Sequence, residues 1–279
     1  MTDIPKESPR TILFQFVVFP LGIVVVAVAV FLLFGKLATN EQTIPDYLNE
    51  IRSGSSHERW QAAYQLSKSL KRGEAKRYPN LEQQVASLYV QSKNDDPRIR
   101  RYLGMVLGNL GDRRATPLLV DGLRHDAPVD NRIYALMALG ELRDPTALGA
   151  IEDATRDGEK DIRKTAYYAL GEIGDPAAVP TLVAGLNDDV ADVRWNAAVS
   201  LSRFNDRRAI PALREMLDRS RLANVRDMRE DQKEDAMIVA MTAYSRVAGA
   251  EARPDLERLT HDPSLRIEAA AKEAIASLH

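Results

Sequence analysis

Four aspartates of this chain fall into a series that invites a chemical reading: Asp112, Asp144, Asp175 and Asp206, at nearly constant intervals along the sequence. They sit in the related phrases "NLGDRRATPLL", "ELRDPTALGAI", "EIGDPAAVPTL" and "RFNDRRAIPAL". Adjacent carboxylates, Asp95 with Asp96 and Asp188 with Asp189, could in principle divide the work of a general acid and a general base. Those pairs, however, return at the same place in successive phrases, and an active site has no use for copies of itself. Helix caps and ion pairs do recur in that way. The four His, at 57, 125, 261 and 279, are scattered and form no H-E-x-x-H or similar i, i+4 set, so no metal is expected. The absence of Cys excludes thiolate ligands, a Cys nucleophile and disulfides. Glycines in "GMVLG", "LGELRD" and "GEIGD" fall within helical runs, where a small residue permits close packing, and no phosphate-cradling loop follows a strand. The expectation is a chain without a catalytic residue, metal or cofactor.

A second series keeps step with the first. Arg100, Arg132, Arg163 and Arg194 repeat the intervals of the aspartates one for one, and each opens an apolar stretch of helical period, such as "RKTAYYALGEIG" with Ala166, Leu170 and Ile173 on one face. After each such helix the chain turns at the Asp, and Pro117, Pro180 and Pro211 stand five residues beyond their Asp. Proline suits a first helical turn, where its missing N–H has no intrahelical partner, and an Asp just ahead can cap the exposed amides. The unit is helix, turn, helix. One such pair cannot bury its own apolar face, so pairs must stack into an α-solenoid.

The phrases "DDVADVRWNAAVSLSRFNDRRAIPAL" and "DIRKTAYYALGEIGDPAAVPTL" resemble the short HEAT-like repeats of bacteria, a type also seen in phycobilin lyases, over residues 96–217. The resemblance implies that the four Arg pair with loop or turn Asp residues in structural ladders along the stack. The flanks read as less regular units. Upstream, "IPDYLNEIRSGSSHERWQAAYQLSKSL" gives a terminal pair capped at Ser55 or Ser56, with Trp60 and Leu66 inward; downstream, Asp262 and Arg266 restore a final pair. About seven units fill the domain at 44–279.

Residues 11–34 carry no charge. At about 1.5 Å per residue such a run exceeds the roughly 30 Å of a bilayer core. The all-α fold expected is therefore an α-solenoid after one transmembrane helix at 11–35, with a tail at 1–10 and a juxtamembrane linker at 36–43. The run is too long for a cleaved signal peptide, and a cut after Ala38 in "GKLAT" would put Lys36 where a small residue is wanted. Lys6 and Arg10 precede it against Lys36 after it, a narrow balance that favours an extracytoplasmic repeat domain on a bacterial inner membrane. Opposing totals of 38 basic and 40 acidic residues give no basic excess for nucleic acid, and 6% aromatic residues leave few rings to stack on bases or enclose a tetrapyrrole.

The rhythm fails once, at "DRSRLANVRDMREDQKEDA", residues 218–236, where the interval from Pro211 to Pro254 is well over that from Pro180 to Pro211. This insertion is the most charged part of the chain, and its Arg219, Arg221, Arg226, Arg229, Asp231 and Lys233 are the candidate partner-binding residues. The bland alternative is a solvated segment. The function expected is a non-enzymatic, membrane-anchored scaffold or accessory subunit that binds another protein of a membrane or envelope complex. The other reading is a lyase-like HEAT protein acting on a small ligand.

Overall fold

The computed structural model describes residues 18–38, 42–70, 77–78, 80–225 and 228–278. The chain divides into two compact units, Met1–Asp46 and Tyr47–His279. In the first, helix α1 covers Phe19–Ala38, three residues further than the expected span. Its described side chains, at 18, 19 and 21–31, are exposed, and Phe31 is 76% accessible. Among the described residues no helix is long and apolar enough to cross a membrane. The tail at 1–10, the start of the expected span at 11–17, the side chains of 32–38 and linker residues 39–41 lie outside the described residues.

The repeat unit is a succession of helix pairs, each made of an A helix and a B helix. In chain order these are α2 (Ile44–Ser53) with α3 (Ser56–Ser69), then α4 (Leu81–Gln91) with α5 (Pro97–Leu110). Next come α6 (Thr116–His125) with α7 (Val129–Leu142), and α8 (Leu148–Ala154) with α9 (Lys160–Ile173). After them, α10 (Val179–Gly185) pairs with α11 (Ala191–Ser202), and α12 (Ile210–Met216) with α14 (Glu230–Ala248), the short α13 (Arg219–Ala223) lying between. The last pair is α15 (Arg253–Leu259) with α16 (Leu265–Ala276). Seven pairs are thus present among the described residues, all helical.

Local chemistry sets these boundaries. Proline occupies the first turn of α6, α10, α12 and α15, where it costs no hydrogen bond. Four B helices lead into a left-handed backbone position at Gly111, Arg143, Gly174 and Asn205, spaced like the Asp that follows each. Glycine is free of steric cost there, whereas Arg143, at φ 51°, holds a conformation that a side chain disfavours. At α3 the cap is Ser55, one of the two serines expected, and Glu58 returns the bond to complete a capping box.

The B helices pack against their B neighbours along their length and bury one continuous row, including Leu103, Leu107, Leu136, Leu139, Ala166, Leu170, Ala197 and Leu201. The A helices cover the other side through Leu119, Ile151, Leu182 and Leu213. B helices come close because glycine recurs at the contact. A Cβ on Gly108 would meet the Ala138 Cα at 2.8 Å, one on Gly140 the Ala169 Cα at 3.2 Å, and one on Gly171 the Ser200 Cα at 3.0 Å. Helix-interior glycine costs about 1 kcal/mol against alanine, so only the close approach explains its presence. Gly108→Ala is expected to destabilise by about 1–3 kcal/mol despite the gain in helix propensity, because two backbones must separate. Gly149→Ala, with nothing within 4 Å of the added atom, is expected to stabilise by about 1 kcal/mol. Urea midpoints of the two variants would lie on opposite sides of the parent's.

Candidate functional site

The repeating arginines sit in the first turns of their B helices, and each does the same two things. First it satisfies carbonyls at or after the end of its own A helix, where four orphan acceptors collect. Arg59 donates to the Ile51 carbonyl at 2.7 Å, Arg100 to Tyr89 at 2.7 Å and Arg132 to Leu123 at 3.0 Å. Arg163 reaches the Asp157 carbonyl at 3.0 Å and Arg194 that of Asp188 at 2.9 Å. The same guanidinium then crosses to a carboxylate of the next pair: Arg59 to Asp95, Arg100 to Asp126 at 2.8 Å, Arg132 to Asp157 and Arg163 to Asp188 at 2.9 Å. The Arg100–Asp126 pair is the most enclosed, with side chains 4% and 5% accessible, and Arg100 also lies 4.0 Å over the Tyr89 ring.

None of the turn residues Asp112, Asp144, Asp175 and Asp206 takes part in these arginine pairings. Geometry forbids it: Arg100 begins a helix and Asp112 follows that helix's end, about 18 Å away at 1.5 Å per residue. Each turn Asp instead caps a 3-10 turn, accepting from the backbone N–H two residues on, at Arg114, Thr146, Ala177 and Arg208. Asp144 also accepts from the Thr116 hydroxyl at 2.7 Å, a link between neighbouring units. Hydrogen bonds from Arg114 and Glu82 hold the Asp112 carboxyl far below its ordinary range, and burial beside that charge raises Glu82.

Burial pulls the carboxyls of Asp157 and Asp188 up, but bonds from Arg132 and Arg163 and from the Glu159 and Val190 amides outweigh it and leave both lowered. Asp262 is lowered chiefly by Arg219. Depressed carboxyls contribute stability that is complete above the unfolded value near 4 and lost as pH falls through the folded one. Urea stability is therefore expected to fall steeply below about pH 4, and Asp188→Asn to flatten that fall, measured as the denaturation midpoint against pH.

At the insertion the ladder is re-routed. One repeat interval beyond Asp188 stands Arg219 in place of an acid, so Arg194 turns to Glu215 at 3.1 Å, while Arg219 reaches Asp262 of the last pair at 2.7 Å. The described residues of 218–236 are largely helical. Leu222 of α13 is buried, and residues 230–236 form the start of the 19-residue α14. Arg229 pairs with Asp231 and Lys233 with Glu230, while Arg221 is exposed. Arg226 lies outside the described residues. The candidate charges thus split: Arg219 is ladder-like, Arg229, Asp231 and Lys233 are tied locally, and Arg221 faces solvent.

A different surface gathers groups suited to recognition. On successive B helices Tyr64, Tyr102 and Tyr134 stand edge to face, with ring centroids 5.0 and 6.0 Å apart. Met105 and Met137 follow one helical turn beyond Tyr102 and Tyr134, and Tyr168 continues the row one repeat interval after Met137. Tyr168 is 36% accessible and the others are half-buried, whereas Tyr167 next to Tyr168 is buried. Cations line the row's start: Lys68 lies 4.4 Å from the Tyr64 ring centre, Arg98 4.3 Å from Trp60 and Arg101 5.4 Å from Tyr134. Trp60 is half-buried and Leu66 fully buried; Trp195 is buried in the core. The tyrosine row escapes a count of aromatic composition, but its signal is positional: two of the ladder arginines, Arg100 and Arg132, have Tyr two residues on.

The histidines are placed apart, His57 in the first turn of α3 and His125 as the last residue of α6, within helices and not in loops. Among the described residues no three His, Asp or Glu side chains gather to hold a metal.

A family model of HEAT repeats matches residues 85–166, 116–194 and 154–230, together more than half of the chain. The chain belongs to the HEAT-repeat family. Among solved structures, this HEAT-repeat chain is similar to the complex of CpcE and CpcF of phycocyanin lyase from Nostoc sp. PCC7120, at 20% identity and a TM-score of 0.57, over 86% of this chain and 97% of that one. A designed armadillo repeat protein aligns over 85% of this chain and 100% of its own, at 18% identity and a TM-score of 0.39. Human deoxyhypusine hydroxylase in complex with glycerol aligns at 17% identity over 84% and 83%, with a TM-score of 0.36. No curated protein matches. The likeness to the lyase chain is one of fold.

Proposed function

We propose that this HEAT-repeat protein is a non-catalytic, membrane-anchored scaffold whose B-helix face holds a segment of another protein. The observation that carries the reading is the row of half-buried Tyr64, Tyr102, Met105, Tyr134 and Met137 with exposed Tyr168, running across four consecutive B helices. Tyr and Met are enriched where protein partners meet, because rigid rings offer large contact area and Met adapts its shape. The ladder supports the same role, since paired Arg and Asp residues at successive junctions stiffen the surface that presents the row. The similar lyase structure is itself a complex of two protein chains, which fits a partner-binding role. A ligand-transforming, lyase-like role is the alternative; against it, the ladder aspartates are held by arginines and the turn aspartates by backbone amides.

The anchor is part of the proposal. It rests on the uncharged run 11–34 and on the exposed apolar side chains of α1. The balance of Lys6 and Arg10 against Lys36 favours the repeat domain outside the cytoplasm. Membranes bearing the full chain are expected to retain it through alkaline carbonate washing, and a periplasm-specific reporter fused after His279 to be active; release by carbonate contradicts the anchor, and activity of a cytoplasm-specific reporter alone contradicts the orientation. A detergent-purified full chain is expected to keep its partner when residues 218–236 are shortened, because the B-face row lies elsewhere. Loss of the partner from that variant would return the binding site to the insertion.

A further inference from the structure

A cleft of about 490 Å³ opens between α12 and α15, where the insertion begins, and Arg214, Arg219, Arg258, Leu217 and Leu259 line it with Asp218, Asp255 and Asp262. Equal numbers of each charge would suggest a neutral surface, but the two signs lie at different depths. Asp262 and Asp255 are 5% and 19% accessible, whereas Arg219, Arg214 and Arg258 are 37%, 53% and 78% accessible. The carboxylates form the floor and the guanidiniums the walls.

Hydrogen bonding sharpens that asymmetry. Asp255 accepts from Arg214 at 2.9 Å, from the Tyr244 hydroxyl at 2.8 Å and from Arg258. Asp262 accepts from two nitrogens of Arg219 and from the Ser264 amide. Asp218, at the edge, accepts from the amide and hydroxyl of Ser220. A guanidinium has five N–H donors, and among the described residues Arg258 uses one nitrogen and Arg214 its Nε in these bonds. The cleft is rich in donors and its deep acceptors are engaged, so it fits a ligand that brings acceptors and negative charge. The volume suits a small molecule, and planar guanidiniums match tetrahedral oxyanions in pairs.

We propose that this cleft binds a phosphate-type oxyanion, held by Arg214 and Arg258 with Arg219 behind them, and that Leu217 and Leu259 accommodate the organic part of a phosphate monoester. The site is independent of the partner-binding face. It also gives the insertion a task, because α13 supplies Arg219 and the adjoining Asp218.

Calorimetric titration of the full chain in neutral detergent, at low chloride, tests this with inorganic phosphate, phenyl phosphate and benzoate as probes. Saturable millimolar binding of phosphate is expected, tighter for phenyl phosphate and weaker for benzoate. Arg258→Gln, an exposed change that leaves the core untouched, is expected to weaken phosphate about tenfold. Asp218→Asn keeps the cap on Ser220 while removing an edge charge, and is expected to tighten binding several-fold. Arg253→Gln lies outside the cleft and is expected to bind like the parent. Absence of saturable binding, equal affinity in the parent and Arg258→Gln, or no response to Asp218→Asn would each overturn the site.

Discussion

Arg100→Ala is expected to lower the unfolding free energy by about 3–5 kcal/mol, the largest effect of any single ladder change. The reason is the carboxylate left behind. Asp126 is 5% accessible and accepts both of its closest bonds, at 2.9 and 2.8 Å, from Arg100 Nε. Without the guanidinium, a buried negative charge has lost its counter-ion, and the Tyr89 carbonyl loses a 2.7 Å donor as well. The same substitution at Arg194, whose ion pair with Glu215 is about a quarter accessible on both sides, leaves charges that water can reach, and is expected to cost about 1 kcal/mol. A double variant, Arg100→Met with Asp126→Leu, removes both charges and retains volume. Such replacements are often neutral or stabilising, so it is expected to recover most of the loss. Urea unfolding of the four proteins, followed by helical circular dichroism, measures the set; equal losses at Arg100 and Arg194 would contradict the burial argument.

Tyr102→Ala combined with Tyr134→Ala is expected to weaken the partner complex by at least about 2 kcal/mol, roughly thirtyfold, with little change in stability. Both rings are half-buried and meet edge to face at 6.0 Å, and neither belongs to the fully buried row of the B helices. Truncation also removes the platform over which Arg101 lies. Substitutions of equal size on the A-helix side, such as Arg124→Ala, are expected to leave the complex unchanged. Affinity measured by co-purification under increasing salt and detergent, with unfolding midpoints in parallel, separates lost binding from lost folding.

Much of this architecture was legible in the chain. The paired series of Arg and Asp revealed the repeat, and proline placed the A helices where they are found. What the spacing could not convey was which carboxylate each arginine meets. A linear period puts Asp112 and Asp126 on equal footing with Arg100, and only the length of the intervening helix separates them. The loop partners Asp126 and Asp157 were missed for that reason, as was Arg59, which falls off the period in the sequence. The insertion's local pairing was also not legible. Its charge density resembles an exposed recognition loop, yet mixed signs at short range pair with each other, and Leu222 gives the segment an apolar side chain to bury. The tyrosine row was hidden by its sparseness. A single ring per unit hardly moves the composition, and it becomes a surface only when the stack lines the rings up.

Site-specific photo-crosslinking in the native membrane asks which face of the stack meets the partner, with a photoreactive side chain placed in turn at Tyr134, Met137 and Tyr168 on the B face and at Arg124, Pro180 and Arg214 on the A side. A B-face scaffold gives one discrete crosslinked protein from the three B-face positions and none from the A side. The same adduct from the A side, or no B-face adduct while the chain remains folded in the membrane, would contradict it.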